Sequence, residues 1–561
     1  MSEFSLNGRR KRHGRPCSGR RWAAFAVLVA CCVVCRAEAD EEAPEPPPVP
    51  SVYPIDEQDD ALAFMDREQV NVQLKAANPT GIDLRLEVAV RPFKATKIDK
   101  RKMHELRAQG EYVKQFGASK YYRLIETLPE QTVKRVNTTL RRGMDGIIPV
   151  SLGRLPRGFW MLDLTCFRGG AQVWNDKYPI AVIANMAPQE YVAPDIPIVV
   201  YTRFMQYKSG RQAKYHKPIF WKTYLHWIAA DLRAHGINGI ISCGGWAKGE
   251  LDIYKRYGIS GLGRGTGRWD GENVIGTLIG DEPKSKQREK YKAQYDKLRG
   301  TTDKAVTTCM VGGHLGTRYR SRSPIGYWDY LGSTTRTFRW YGVKKDFYDH
   351  LYPLHYKGHL PFADVLRLMD QSCTEQDSAW WTILPTFGGS GRKSYFQDPS
   401  PEQVKGLMHL SVAHGSDALL LFQYQAFEGE EALVDAATLK HLDGKIKAVG
   451  EVAPLINRNG ALLKSLQHGG LDVRCRNPRL EIVPRTANGK HYVYVVNLDS
   501  KNPVSGRLLV WADSWHLGRV RSVYDGKELK IGRDAEGYYS MPLTLGPGNG
   551  VLLATDARRK S

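Results

Sequence analysis

A chain of 561 residues is longer than one hydrophobic core normally fills, so two or three domains are expected. With 42% hydrophobic, 10% aromatic and 25% charged residues, the composition excludes a disordered, collagen-like or low-complexity protein. The net charge of +22 leaves open an acidic polysaccharide, an anionic surface or a merely soluble basic exterior. With no recognition motif, it gives nucleic acid no support as a partner.

Residues 1–39 read as a signal peptide. The basic run Arg9, Arg10, Lys11, Arg12, Arg15, Arg20 and Arg21 precedes the apolar stretch 22–34, and Ala37-Glu38-Ala39 has the small-x-small form of a cleavage site. Cleavage there puts the mature N-terminus at Asp40. Leu28-Val29-Ala30-Cys31 also has the form of a lipoprotein box and Arg20-Arg21 that of a weak twin-arginine signal, so a lipid anchor stays open beside free release. The apolar stretch is shorter than the roughly 20 residues of a spanning helix. An exported protein is expected, periplasmic or extracellular, with no membrane span after cleavage. The leader carries eight basic and two acidic residues, a net +6, which leaves +16 on the mature chain. Of nine cysteines, Cys17, Cys31, Cys32 and Cys35 lie in the leader. Cys166, Cys243, Cys309, Cys373 and Cys475 have neither a disulfide framework nor metal-ligand spacing, so they read as small buried hydrophobes, and no metal or cofactor is expected.

After a Pro-rich acidic linker over 40–50, residues 51–190 read as strands. Val70, Val72 and Leu74 alternate with polar residues, as do Leu84, Leu86, Val88 and Val90, and further strands are expected over 158–164 and 178–183. This predicts an N-terminal β-sandwich.

From 195 to 460 short apolar runs alternate with amphipathic helices, the rhythm of βα units around a parallel sheet. Eight strands are counted, over 197–203, 237–243, 259–263, 274–280, 305–311, 346–354, 380–387 and 418–425. Trp221, Leu225, Ile228 and Leu232 share one helix face closed by His235-Gly236. Another helix begins with Ser400 as cap, Pro401 at its first position and Gln403 three residues past the cap, and ends at His414-Gly415. Eight units, with no Gly-rich phosphate fingerprint after the first strand, favour a barrel over an open doubly wound sheet. Strands return over 480–483, 492–498, 507–511 and 520–524. The end, 538–545, then Gly546-Pro547-Gly548-Asn549-Gly550 and 551–554, reads as a closing hairpin of a C-terminal β domain over 465–556. The expected fold class is therefore α/β: a (β/α)8 TIM barrel flanked by an N-terminal β-sandwich and a small C-terminal β-sandwich.

Barrel active sites form at the C-terminal ends of the strands. The fourth strand delivers Gly280-Asp281-Glu282-Pro283 there. Two adjacent carboxylates repel each other, which raises at least one pKa and suits it to donate a proton near neutrality. The bland alternative has Asp281 capping the next helix and Glu282 solvated in its first turn. A retaining glycosidase needs a second carboxylate about 5–5.5 Å from the acid. The seventh strand offers none before Asp398; Asp349 on the sixth could substitute. The adjacent pair allows another solution, in which the substrate's 2-acetamido group is the nucleophile. Glu282 then protonates the glycosidic oxygen and later activates water, while Asp281 orients the acetamide.

With its strand-rich start, the Asp-Glu-Pro exit of strand four and its terminal strands, the chain resembles the family 123 glycoside hydrolases, exo-acting β-N-acetylgalactosaminidases, over residues 51–556. The broader substrate-assisted hexosaminidases share the adjacent acids, which fall on Asp281 and Glu282. The resemblance implies a terminal N-acetylgalactosamine; composition does not show it. Sugar sites also need aromatic faces and polar groups. Candidates for binding an oligo- or polysaccharide are Arg203, Trp246, His314, Tyr352, His355, Phe387, Gln423 and Tyr424, with Tyr352 or Tyr424 as the tyrosine on the acetamide oxygen. Two other readings stay open. One is a β-galactosidase-like hydrolase with Glu282 as acid and Asp349 or Glu428 as nucleophile. The other is a non-catalytic carbohydrate-binding surface protein.

Overall fold

The computed structural model describes residues 48–55, 62–98, 100–108, 113–115, 122–127, 131–184, 186, 190–202, 218–242, 249–264, 271–281, 288–302, 304–311, 330–334, 366–367, 370, 379–386, 388–389, 398–425, 430–435, 438–442 and 444–560. Residues 50–561 form one compact unit.

Eight parallel strands pair in sequence order and close on themselves: Ile198–Thr202 (β1), Gly239–Ser242 (β2), Ser260–Arg264 (β3), Val274–Asp281 (β4), Ala305–Val311 (β5), Tyr330–Thr334 (β6), Ala379–Pro385 (β7) and Ala418–Phe422 (β8). The ring closes where Ile198, Val199 and Val200 of β1 pair with Leu419, Leu420 and Leu421 of β8. Strand alternation sorts the side chains. Val199, Tyr201, Ile241, Trp381, Ala418 and Leu420 fill the interior. Ile198, Val200, Ile240, Trp380, Leu419 and Leu421 face outward into a second core shared with the helices.

The described helices of this region are Pro218–Ala234 (α1), Glu250–Arg256 (α2), Arg288–Arg299 (α3), Pro401–Ala413 (α4) and Lys445–Arg458 (α5). The α1 helix buries Leu225, Ile228 and Leu232 at i, i+3 and i+7, and stops at Gly236, whose φ of 72° suits a residue without a Cβ. At the start of α4, Ser400 Oγ accepts from Gln403 N (3.2 Å) and Gln403 Oε1 accepts from Ser400 N (2.7 Å), the reciprocal cap expected from the sequence.

One prediction of a barrel strand is overturned. The sixth strand is Tyr330–Thr334, paired with β5 and β7, and not 346–354, which lies outside the described residues. Tyr-Leu-Gly-Ser-Thr has one aliphatic side chain and a glycine, whereas 346–354 offers Phe, Tyr and Leu, so apolar counting chose the wrong segment. Asp349, Tyr352 and His355 thereby lose the strand-end placement given to them.

The N-terminal region builds two sheets. Ser51–Ile55, Val70–Ala77 and Asp145–Gly153 form one; the other runs from Ala63–Met65 through Ala171–Ile183, Gly158–Arg168 and Leu84–Ile98 to Tyr122–Thr127 and Val113–Gln115, with Lys134–Leu140 also on the Leu84–Ile98 strand. Val72, Leu74 and Val150 of the first share a core with Leu86, Val88, Leu164 and Ile180 of the second. This region, expected to be all strand, also holds the helix Lys100–Ala108, whose charged sequence gave no apolar stripe to read. Phe93, Phe159 and Met161 lie in the same core as α1, and Leu62 N donates to Thr223 Oγ1 on that helix (2.9 Å).

The C-terminal region has a five-stranded and a four-stranded sheet around Val493, Val495, Leu508, Val510, Met541 and Leu553. Its expected closing hairpin does not form. Tyr538–Leu545 pairs with Val504–Trp511 in the four-stranded sheet, while Gly550–Arg559 pairs with Lys490–Asn497 and Trp515–Ser522 in the other. The turn therefore crosses between layers. Asn497 Nδ2 donates to the carbonyls of Leu545 (3.1 Å) and Gly546 (2.9 Å), and Gly548, at φ 63°, passes so near α4 that a Cβ would sit 1.9 Å from the Glu402 carbonyl oxygen. Arg485, almost fully buried, fastens this domain to the barrel layer through Ala413 O (2.9 Å) and Asp370 Oδ2 (3.1 Å). Cys166 and Cys475 are free thiols, and Cys166 is buried as expected. Among the described residues no helix is long and apolar enough to cross a membrane.

Candidate functional site

The sequence of β4 carries no charged residue until its last, so its exit is where an ionisable group first appears. Gly276 is required there: a Cβ would stand 2.3 Å from the Ala305 carbonyl oxygen of β5. Between Leu278 and Gly280 the register with β5 slips by one residue, and the ladder then resumes with Gly280 opposite Thr308 and Asp281 opposite Cys309. Such bulges re-aim the chain and recur beside active sites. Asp281 is the final residue of β4, at the C-terminal end of the ring of strands. Glu282 lies outside the described residues, as do Arg203, Trp246, His314, Tyr352, His355 and Phe387, and the alternative nucleophiles Asp349 and Glu428.

The exits of β1 and β8 are described. Tyr201 and Phe422 set their rings 4.9 Å apart at 37° on the inner side of the ring of strands. Thr202 Oγ1 donates to Gln425 Oε1 (3.2 Å), and Gln425 Nε2 donates to the Tyr224 hydroxyl of α1 (2.6 Å). Gln423 is fully buried, and its carbonyl oxygen accepts from Thr386 Oγ1 just past β7 (3.0 Å). Two inward aromatics thus stand at the mouth that the sequence reading passed over, because Tyr201 and Phe422 looked like ordinary strand core. Their position as the last inward residues of two adjacent strands was the available signal.

Tyr424 is differently employed from what was expected. Its ring belongs to the outer core, fully buried, and its hydroxyl donates to Asp231 Oδ2 on α1. Burial, with the Asp231 charge adding to it, holds the phenol far above its ordinary pKa and so protonated. A hydroxyl committed to a carboxylate in the helix layer does not reach a sugar at the mouth. Of the two tyrosines considered for the acetamide oxygen, only Tyr352 remains.

A displaced pKa alone does not mark this site. Burial pushes Asp417 up to about 6, near the range for a general acid. It precedes β8, however, at the opposite end from Asp281, with Oδ2 accepting from Trp380 N (2.9 Å). Polar residues at the N-terminal face of a barrel serve stability.

No family model matches the sequence, and no curated protein matches it. Among solved structures, the chain is similar to a family 39 glycoside hydrolase from the gut symbiont Bacteroides cellulosilyticus WH2, at 12% identity and a TM-score of 0.40 over 90% of this chain and 100% of that one. It is similar to a Paenibacillus sp. cycloisomaltooligosaccharide glucanotransferase complexed with cycloisomaltoheptaose, at 8% identity and a TM-score of 0.40 over 90% and 99%. An Anoxybacillus α-amylase matches at 11% identity and a TM-score of 0.38 over 59% and 90%. These neighbours are sugar-acting enzymes at low identity, and likenesses this distant carry no argument; the fold rests on the strand pairing and the function on the site.

Proposed function

We propose that this protein is an exported glycoside hydrolase that removes a terminal β-linked N-acetylhexosamine, with N-acetylgalactosamine as first choice, on a (β/α)8 barrel flanked by two β-sandwiches. The observation that carries the reading is Asp281 as the last residue of β4, directly beyond a bulge, in a closed ring of parallel strands. Glu282 follows it in sequence.

In this mechanism the acetamide oxygen of the substrate attacks the anomeric carbon as Glu282 gives its proton to the departing glycosidic oxygen. The product of that step is a bicyclic oxazolinium. Asp281 accepts the acetamide N–H and balances the charge that develops on the ring. Water then attacks the anomeric carbon, Glu282 takes its proton, and the acetamide is restored with net retention. The inward faces of Tyr201 and Phe422 suit the apolar side of a sugar ring. The reading with a separate nucleophile, Asp349 or Glu428, is the alternative that the inhibition experiment decides.

A thiazoline mimic of the oxazolinium tests the mechanism. Competitive inhibition of a preparation that turns over an aryl N-acetyl-β-hexosaminide supports it; turnover indifferent to the thiazoline rejects it in favour of two separated carboxylates. Retained glycan binding with no hydrolysis of any aryl glycoside would establish the non-catalytic binding protein instead. The +16 charge expected of the mature chain suits an anionic glycan and equally a merely soluble basic exterior, so sulfated and unsulfated substrates are compared in the same assay. Export is tested by N-terminal sequencing of the secreted protein, with Asp40 expected as its first residue.

A further inference from the structure

On the outer side of the ring of strands, α1 meets the segment that follows β8. Asp231 lies in the last turn of α1, and His235, four residues on, lies in the turn just past its end. His441 approaches them from a position 210 residues beyond Asp231. His441 Nε2 is 2.8 Å from Asp231 Oδ1, His235 Nδ1 is 3.6 Å from the same oxygen, and the two imidazole rings cross at 85° with centroids 5.0 Å apart. One ligand atom from each residue falls within 4.8 Å of the others.

We propose that Asp231, His235 and His441 form a binding site for a divalent transition-metal ion, with zinc as the best match. Two imidazoles and one carboxylate suit borderline ions such as zinc; hard magnesium or calcium would seek an all-oxygen shell. Zinc bonds of about 2.0–2.2 Å in a tetrahedron place ligand atoms about 3.4 Å apart. The two nitrogen–oxygen spacings bracket that value and the three ligand atoms lie within 4.8 Å of one another, so the donors converge by side-chain rotation; to ligate through Nδ1, His235 gives up its 2.8 Å contact with the Asp231 backbone carbonyl. The carboxylate is already oriented: the Tyr424 hydroxyl holds Oδ2, which turns Oδ1 toward the histidines. The Asp231 side chain is 12% exposed and that of His441 40%, so protein forms the floor and His441 opens an entry path from solvent. A bound ion would tie α1 to the chain beyond β8. The site uses none of the residues proposed for hydrolysis, so either conclusion can fail alone.

The experiment is zinc titration of the tag-free mature chain at pH 7.5, read by calorimetry, with cobalt substitution read by its visible ligand-field bands. One equivalent is expected to bind, with affinity reduced at least tenfold in His441→Ala and His235→Ala and unchanged in the exposed control His516→Ala. His441→Gln guards against a folding defect, since it keeps a polar side chain there and should lose the same affinity with unchanged circular dichroism. Absence of one-to-one binding by the folded chain, variants that titrate like the parent, or equal binding of magnesium would each overturn the assignment.

Discussion

Replacing Asp417 by Asn should flatten one component of the protein's pH-dependent stability. Burial raises the Asp417 carboxyl to about 6, the Trp380 N–H and Lys464 pull it down, and Asp370 adds to the rise. An unfolded aspartate titrates near 3.9. The native state therefore holds this proton more tightly than the unfolded chain does. Its contribution to stability is fully present below about pH 4 and is lost as pH rises through about 6. A gap of about two pH units, at about 1.36 kcal/mol each, amounts to about 3 kcal/mol. Asn keeps the oxygen that accepts from Trp380 and never ionises. Denaturant titrations of parent and Asp417→Asn between pH 4 and 7.5 measure the difference. The variant should gain on the parent by about 3 kcal/mol as pH rises across that window. A difference that stays constant with pH would refute the argument that burial controls this carboxyl.

Three other outcomes follow from the packing. Lys445 is fully buried with its ammonium on both oxygens of Asp398 (2.6 and 2.7 Å), so Asp398→Asn should cost about 3 kcal/mol by leaving that charge unpaired, and Lys445→Met in the same background should restore much of it in thermal unfolding. Ser400→Ala removes the cap of α4 and should cost about 1 kcal/mol, while Ser400→Asp should be nearly neutral. Gly548→Ala forces a Cβ against the Glu402 carbonyl at a positive φ; a loss of about 2–3 kcal/mol is expected, and an unchanged unfolding midpoint would mean that the crossing turn does not pack on α4 as described.

Much of the barrel was legible because buried parallel strands announce themselves as apolar runs. Ile198–Thr202 opens with three consecutive aliphatic residues and Ala418–Phe422 with four, and Ser400-Pro401 with Gln403 marked a helix start to the residue. Where the chain departed from that rule, the reading failed. Tyr330–Thr334 forms its strand through backbone pairing with two neighbours, which leaves no hydrophobic signature. The glycines after Leu545 looked like a hairpin because a tight turn and a crossing between sheets ask for the same residues, and only long-range pairing separates them. Tyr424 was drawn to the mouth by its place in sequence, yet its ring lies in the outer core and its hydroxyl on a helix aspartate. Asp231, His235 and His441 carried no motif, since the third member arrives from far along the chain.

The central claim is that Asp281 and Glu282, at the exit of β4, perform acid–base catalysis on an acetamido sugar. The most direct measurement is steady-state hydrolysis of aryl N-acetyl-β-galactosaminide, N-acetyl-β-glucosaminide and plain β-galactoside by the parent chain, Asp281→Asn and Glu282→Gln. The account predicts turnover of an acetamido sugar only, with kcat/KM lower by about 10²–10⁴ in Glu282→Gln and a comparable loss in Asp281→Asn. Activity confined to the plain galactoside, or turnover unchanged by either substitution, would contradict it.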